Sequence, residues 1–137
     1  YLYLNMMKNI LLISPCSEKT RIEQEIFLSP PLGVVRLAGF LREKGHNAQY
    51  LDINLHKITR EGPSFKDTLL EEKWDIIGFS VLEETLVQDL INIDVASKIA
   101  PNALLIAGGI EAQFNYQTIL DKTPCKIVIL GEGSSTQ

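Results

Sequence analysis

One apolar run sits in mid-chain, too short for a helix and too continuous for a half-exposed strand. It reads Asp75-Ile76-Ile77-Gly78-Phe79-Ser80-Val81-Leu82, with Trp74 before it and the polar Glu83-Glu84-Thr85 after it. A strand buried on both faces reads as an unbroken apolar run, and such strands belong inside parallel sheets. Gly78 marks a point where something packs closely on the backbone. Near its end the run carries a hydroxyl, Ser80, where a new helix begins, so that end is a candidate floor for a ligand. Four more runs of the same kind follow the pattern: Asn9 to Ser14, Asn47 to Asp52, Ala103 to Ala107 and Lys126 to Leu130.

Helical stretches separate them. Ser29-Pro30-Pro31 reads as a helix start, with Ser29 as N-cap and Pro30 at the first helical position. Val34, Leu37, Ala38 and Leu41 then form one apolar stripe, and Gly45 supplies the left-handed residue that ends the helix. After the second strand, Ile53 leads into a loop that Gly62-Pro63 breaks. Ser64 to Lys73 forms a modest helix. Glu84 to Ala100 forms a longer one, with Leu86, Leu90 and Ile93 on its apolar stripe. Ala112 to Asp121 is a weaker helix. Residues 15–29 show no period, and loops of that length are usually functional or disordered.

Strand and helix thus alternate five times, which implies an α/β fold, because parallel neighbours need crossover helices. Five strands favour a flavodoxin-like, three-layer Rossmann-type sheet in the order 2-1-3-4-5. Right-handed crossovers place all strand carboxyl ends on one edge, where ligands of such sheets bind. That edge carries Ser14, Asp52, Ser80, Gly108-Gly109 and Gly131-Glu132-Gly133. Glycine and serine dominate it, as close backbone approach to a large ligand requires.

Composition bounds the rest. The 137 residues suit one domain, and 45% hydrophobic with 22% charged residues is ordinary for a globular chain. A net charge of −4 argues against nucleic acid as a partner. The two cysteines, Cys16 and Cys125, lie far apart and give neither a disulfide framework nor a metal site. That usage fits a reducing, cytoplasmic compartment. No apolar run approaches the length of a membrane span. The start, Tyr1-Leu2-Tyr3-Leu4-Asn5, is no signal peptide and is not Met, and the end stops in loop residues. The expectation is a piece of a longer protein: an N-terminal extension over 1–7 and a domain over 8–137 that lacks its last helix. Strand five should then leave Val128, Leu130 or their neighbours partly exposed, or covered by Tyr1–Met7.

The site decides among families of this fold. A phosphoacceptor domain needs acidic residues after strands one and three, where this chain has Ser14-Pro15 and Ser80-Val81. A dinucleotide fold needs G-x-G-x-x-G after strand one, and Ser14 to Lys19 has no glycine. A flavodoxin phosphate loop matches Pro15 to Lys19 poorly. The ordered set Asn9–Pro15, Pro30–Gly33, Leu41–His46, Trp74–Ser80, Pro101–Ala103, Ala107–Gly109 and Leu130–Gly133 instead resembles one family. This is the cobalamin (vitamin B12)-binding domain found ahead of radical S-adenosylmethionine catalytic domains.

That resemblance carries residue roles. Ser80-Val81-Leu82 matches the family's Ser-x-Leu, which implies that the Ser80 hydroxyl bonds the buried nucleotide tail with Leu82 packed beside it. Gly108-Gly109 matches the glycine pair after strand four, where a side chain would meet that tail. Gly131-Glu132-Gly133 matches the last-strand loop, with Glu132 facing donors of the tail or the partner domain. The Asp-x-His-x-x-Gly motif that places histidine on cobalt is missing, so no metal ligand and no catalytic residue is expected here. The radical cluster needs three close cysteines, more than this chain has. The 4Fe–4S cluster and S-adenosylmethionine therefore belong to a downstream radical domain, which is also the expected partner. Oxidoreductase, methyltransferase and cyclase chemistries all occur behind such domains. The alternative is a non-catalytic interaction or regulatory domain whose corrinoid site has decayed.

Plainer roles stand beside these. Ser80 could cap the next helix, and Gly108-Gly109 could be a tight turn. His46 reads as a turn residue on the inert edge and His56 as a solvated loop histidine. Cys16 and Cys125 read as packing thiols, and Trp74 as a core cover.

Overall fold

A computed structural model of the chain describes residues 6–14, 32–81, 85–109 and 112–129. The elements run β1 (Asn9–Ile13), α1 (Leu32–Glu43), β2 (Asn47–Leu51), α2 (Ile53–Thr59) and α3 (Phe65–Glu71). They continue through β3 (Ile76–Ser80), α4 (Leu86–Ile99), β4 (Leu104–Gly108), α5 (Ala112–Lys122) and β5 (Ile127–Val128). The sheet has five strands in the order β2-β1-β3-β4-β5, all pairs parallel. This is the flavodoxin-like α/β arrangement expected from the alternation of apolar runs.

Local chemistry explains most boundaries. Gly45 ends α1 at φ +93°, a conformation open to glycine. Ser64 caps α3, its hydroxyl accepting the Asp67 N–H at 3.1 Å. The proposed start of α1 at Ser29-Pro30 lies outside the described residues, as does the 15–29 segment. One element differs from expectation. Ile53 does not enter a loop: Asp52 accepts the Leu55 N–H at 3.2 Å and caps the short helix α2. The carboxylate signals an N-cap as well as a strand end, and the helix itself is too short to show a period.

Two cores flank the sheet. On one face Leu11, Ile13, Ile77, Phe79, Leu105 and Ala107 pack against Ile53, Leu69, Ile93, Ala96 and Ile119 from α2 to α5. On the other, Ile10, Leu12 and Ala48 pack against Val34, Ala38 and Leu41 of α1. β5 is exposed as anticipated, although the exposed positions are the neighbours of Val128. Val128 packs toward the first core, while Ile127 and Ile129 are each 44% exposed. Leu130 lies outside the described residues. Met6 and Met7 are themselves exposed and do not cover them.

Trp74 covers core as expected, at 3% exposure, and its indole N–H donates to the Thr68 carbonyl at 3.0 Å. Trp74→Phe keeps most of the apolar area but removes that donor. It should cost about 1–3 kcal/mol in urea unfolding followed by circular dichroism, since the chain has only one tryptophan. A midpoint unchanged from the parent chain would show that the bond contributes nothing.

Candidate functional site

The carboxyl ends of β3 and β4 meet at Ser80 and Gly108, which are paired across the two strands. The Val81 N–H donates to the Gly108 carbonyl at 2.9 Å and extends the ladder one residue further. Val81 and Ala107 belong to the α4-side core. Side chains alternate along a strand, so Ser80 and Gly108 point to the α1 side. Gly109 then turns the chain at φ +110°. A Cβ there would stand 3.0 Å from the Val81 carbonyl oxygen and 3.4 Å from Ser80 Oγ. The first contact is with backbone, which cannot swing aside.

The glycine pair therefore divides. Gly109 is demanded by the fold itself, through its φ and its approach to Val81. A Cβ on Gly108 would meet only Ile129 Cβ, at 3.8 Å, an ordinary contact. Gly108 is the position at which the strand end stays open.

Elsewhere on the edge the polar groups are spent on structure. Ser14 is buried, and its hydroxyl and N–H both donate to the Leu51 carbonyl, at 3.2 and 3.1 Å. Asp52 is occupied as the cap of α2. Ser80 is not the cap of α4, because that position belongs to Thr85. The structure brings Ser80, Val81, Gly108 and Gly109 together. Leu82, Gly131, Glu132, Gly133 and Cys16 lie outside the described residues.

The remaining candidates are structural. His46 sits at the amino edge, its Nδ1 accepting the Lys8 N–H at 3.1 Å. His56 lies in α2, not in a loop, with Nδ1 3.1 Å from the Glu61 carbonyl oxygen. Cys125 is buried, which pushes its thiol pKa up, and Sγ contacts the Ile127 carbonyl at 3.2 Å. Among the described residues no group of three or more His, Cys, Asp and Glu side chains could hold a metal ion.

Residues 27–137 match the family described as the B12 binding domain. The chain belongs to that family. Two relatives are named anaerobic magnesium-protoporphyrin IX monomethyl ester cyclase. The Cereibacter sphaeroides protein is 27% identical over 106 residues, which cover 76% of this chain and 17% of its own length. The Rubrivivax gelatinosus protein is 26% identical over 106 residues, covering 76% of this chain and 19% of its own. The chain thus spans under a fifth of the length of these relatives. No solved structure matches it significantly.

For a B12-binding domain the β3–β4 edge is chemically apt. It offers a hydroxyl, an open glycine and backbone, with no charge on the described residues. One feature was not legible in the sequence. Leu86 and Leu90 are only half-buried, and the face that α4 buries carries Thr85, Asp89, Asn92, Ile93 and Ala96. Thr85 Oγ1 donates to Asp89 Oδ2 at 2.6 Å, and Asn92 Oδ1 accepts from Gln88 at 3.1 Å. The i, i+4, i+7 spacing of Thr85, Asp89 and Asn92 was the available signal, and the leucines beside it read more strongly.

The division of the glycine pair can be measured on the protein without ligand. Gly109→Ala should cost about 1–3 kcal/mol in urea unfolding. Gly108→Ala should stay within about 0.5 kcal/mol of the parent. Equal losses would show that the left-handed turn does not distinguish the two positions.

Proposed function

We propose that this chain is the cobalamin-binding domain of a longer radical S-adenosylmethionine enzyme of the cyclase type. It holds the corrinoid's nucleotide tail against the carboxyl ends of β3 and β4. The observation that carries this reading is the open strand end at Gly108, beside the Ser80 hydroxyl on the same sheet face. Family membership and the two cyclase relatives support the ligand class and the kind of parent enzyme.

The chain's own residues supply grip. Ser80 donates a hydrogen bond to a neutral acceptor of the tail. Gly108 lets the tail lie against bare backbone, where burial of its apolar base gives the main affinity. Gly109 holds the turn that keeps the Gly108 and Ser80 positions side by side. Leu82 and the Gly131-Glu132-Gly133 loop complete the grip in this reading. Cobalamin supplies a cobalt centre for alkyl or electron transfer. The iron–sulfur cluster and S-adenosylmethionine are held by the downstream domain.

The test is titration of the full-length protein with hydroxocobalamin, followed by the corrinoid visible spectrum. Ser80→Ala removes one neutral hydrogen bond, about 0.5–1.5 kcal/mol, and should weaken binding about two- to tenfold. Gly108→Val puts a branched side chain where the tail lies, and should weaken binding about tenfold or more. Valine suits a strand position, so the fold should survive. Gly109→Val is a poor probe, because its backbone strain mixes folding with binding. His56→Ala should leave the spectrum unchanged. A folded full-length protein that takes up no corrinoid would favour a non-catalytic interaction or regulatory domain.

A further inference from the structure

The two faces of the sheet are unequally covered. On one, α2 to α5 pack over all five strands. On the other, α1 packs over β1 and β2 and reaches β3 only at Ile76. Beyond it the same face of β4 and β5 presents Leu104, 36% exposed, and Ile127, 44% exposed, with Ile106 half-buried between them.

The rotation of α1 adds a wall to this floor. Arg42 Nε donates to the Ala48 carbonyl of β2 at 2.6 Å, which turns the Arg42 flank of the helix outward. At about 100° per residue, Leu37 and Phe40 fall on the opposite flank, toward β3. They are 43% and 54% exposed. Three strands at about 4.8 Å spacing span about 10 Å, the width of one helix.

We infer that this groove seats one amphipathic helix supplied by the same polypeptide, from the residues that follow Gln137. Two observations select that occupant. The chain leaves β5 at the carboxyl edge, and α5 already packs beneath β4 and β5 on the far face. A helix returning over β5 therefore finds apolar surface only on the α1 side. The matched stretch is also 17% and 19% of the cyclase relatives, so polypeptides of this kind carry ample chain to fill it. The helix brings its own apolar stripe onto Leu104, Ile106 and Ile127, and its side against Leu37 and Phe40.

Hydrogen exchange by mass spectrometry on the full-length protein tests this without any corrinoid, so its outcome is separate from that of the titration. The expected result is a protected run of about 10–14 amides within about 20 residues after Gln137. Ile127→Ala and Phe40→Ala should each speed exchange in that run about tenfold or more. Val87→Ala, on the solvent side of α4, should not, and β1 and β3 amides serve as the unchanged reference. No protected run there, or one indifferent to both substitutions, overturns the inference. Protection of β5 that vanishes on dilution would assign the groove to a second copy and overturn it equally.

Discussion

Asp75 sets the register of three strands at the amino edge of the sheet. Its N–H donates to the Asn9 carbonyl at 2.8 Å, and its carboxylate Oδ2 accepts the Asn9 N–H at 2.8 Å. Its carbonyl accepts the Leu104 N–H at 2.9 Å. One residue thus ties β1 and β4 to β3 before any of the three begins its buried run. A slip of one residue would exchange the two faces of a strand, placing Phe79 or Val81 where Ser80 now stands. The pairing of Ser80 with Gly108, five residues downstream, depends on that register.

The same register decides which strand ends remain available. Every strand of a parallel sheet ends on the same edge, and each end leaves polar groups to satisfy. At β1 and β2 the chain satisfies them internally, through Ser14 on the Leu51 carbonyl and Asp52 on α2. At β3 and β4 the backbone satisfies itself through Val81 and Gly108, so the Ser80 hydroxyl is not consumed in closing the sheet. The site falls at β3 and β4 because the other ends are already in use.

How much of this the sequence disclosed follows from what each signal reports. Continuous apolar runs report burial on both faces, and they located all five strands, the sheet order and Trp74 in the core. Helix period reports a stripe only where apolar residues alone fill it. It therefore placed α4 correctly yet turned it the wrong way, since Asp89 and Asn92 occupy buried positions that a hydrophobic pattern cannot see. The helix α2, seven residues long, is below the length at which period is readable. The glycine pair was legible as glycine but not as two different demands. A positive φ and an open strand end look alike in one-letter code, and only the distances to Val81 and Ile129 separate them.

The uneven cover of the sheet connects the ligand reading to the helix reading. Ser80 and Gly108 point to the side where α1 packs, as do Leu104, Ile106 and Ile127. A nucleotide tail at the carboxyl end and a helix over the middle and amino end would therefore occupy adjoining stretches of one face. Each would bury apolar surface that the other leaves open, and each would supply a wall to the other. Such neighbours are thermodynamically linked: whatever favours one in place lowers the cost of ordering the second. The closed α4 face, with its buried side chains, has no room for either. The open face is where binding and completion of the fold meet.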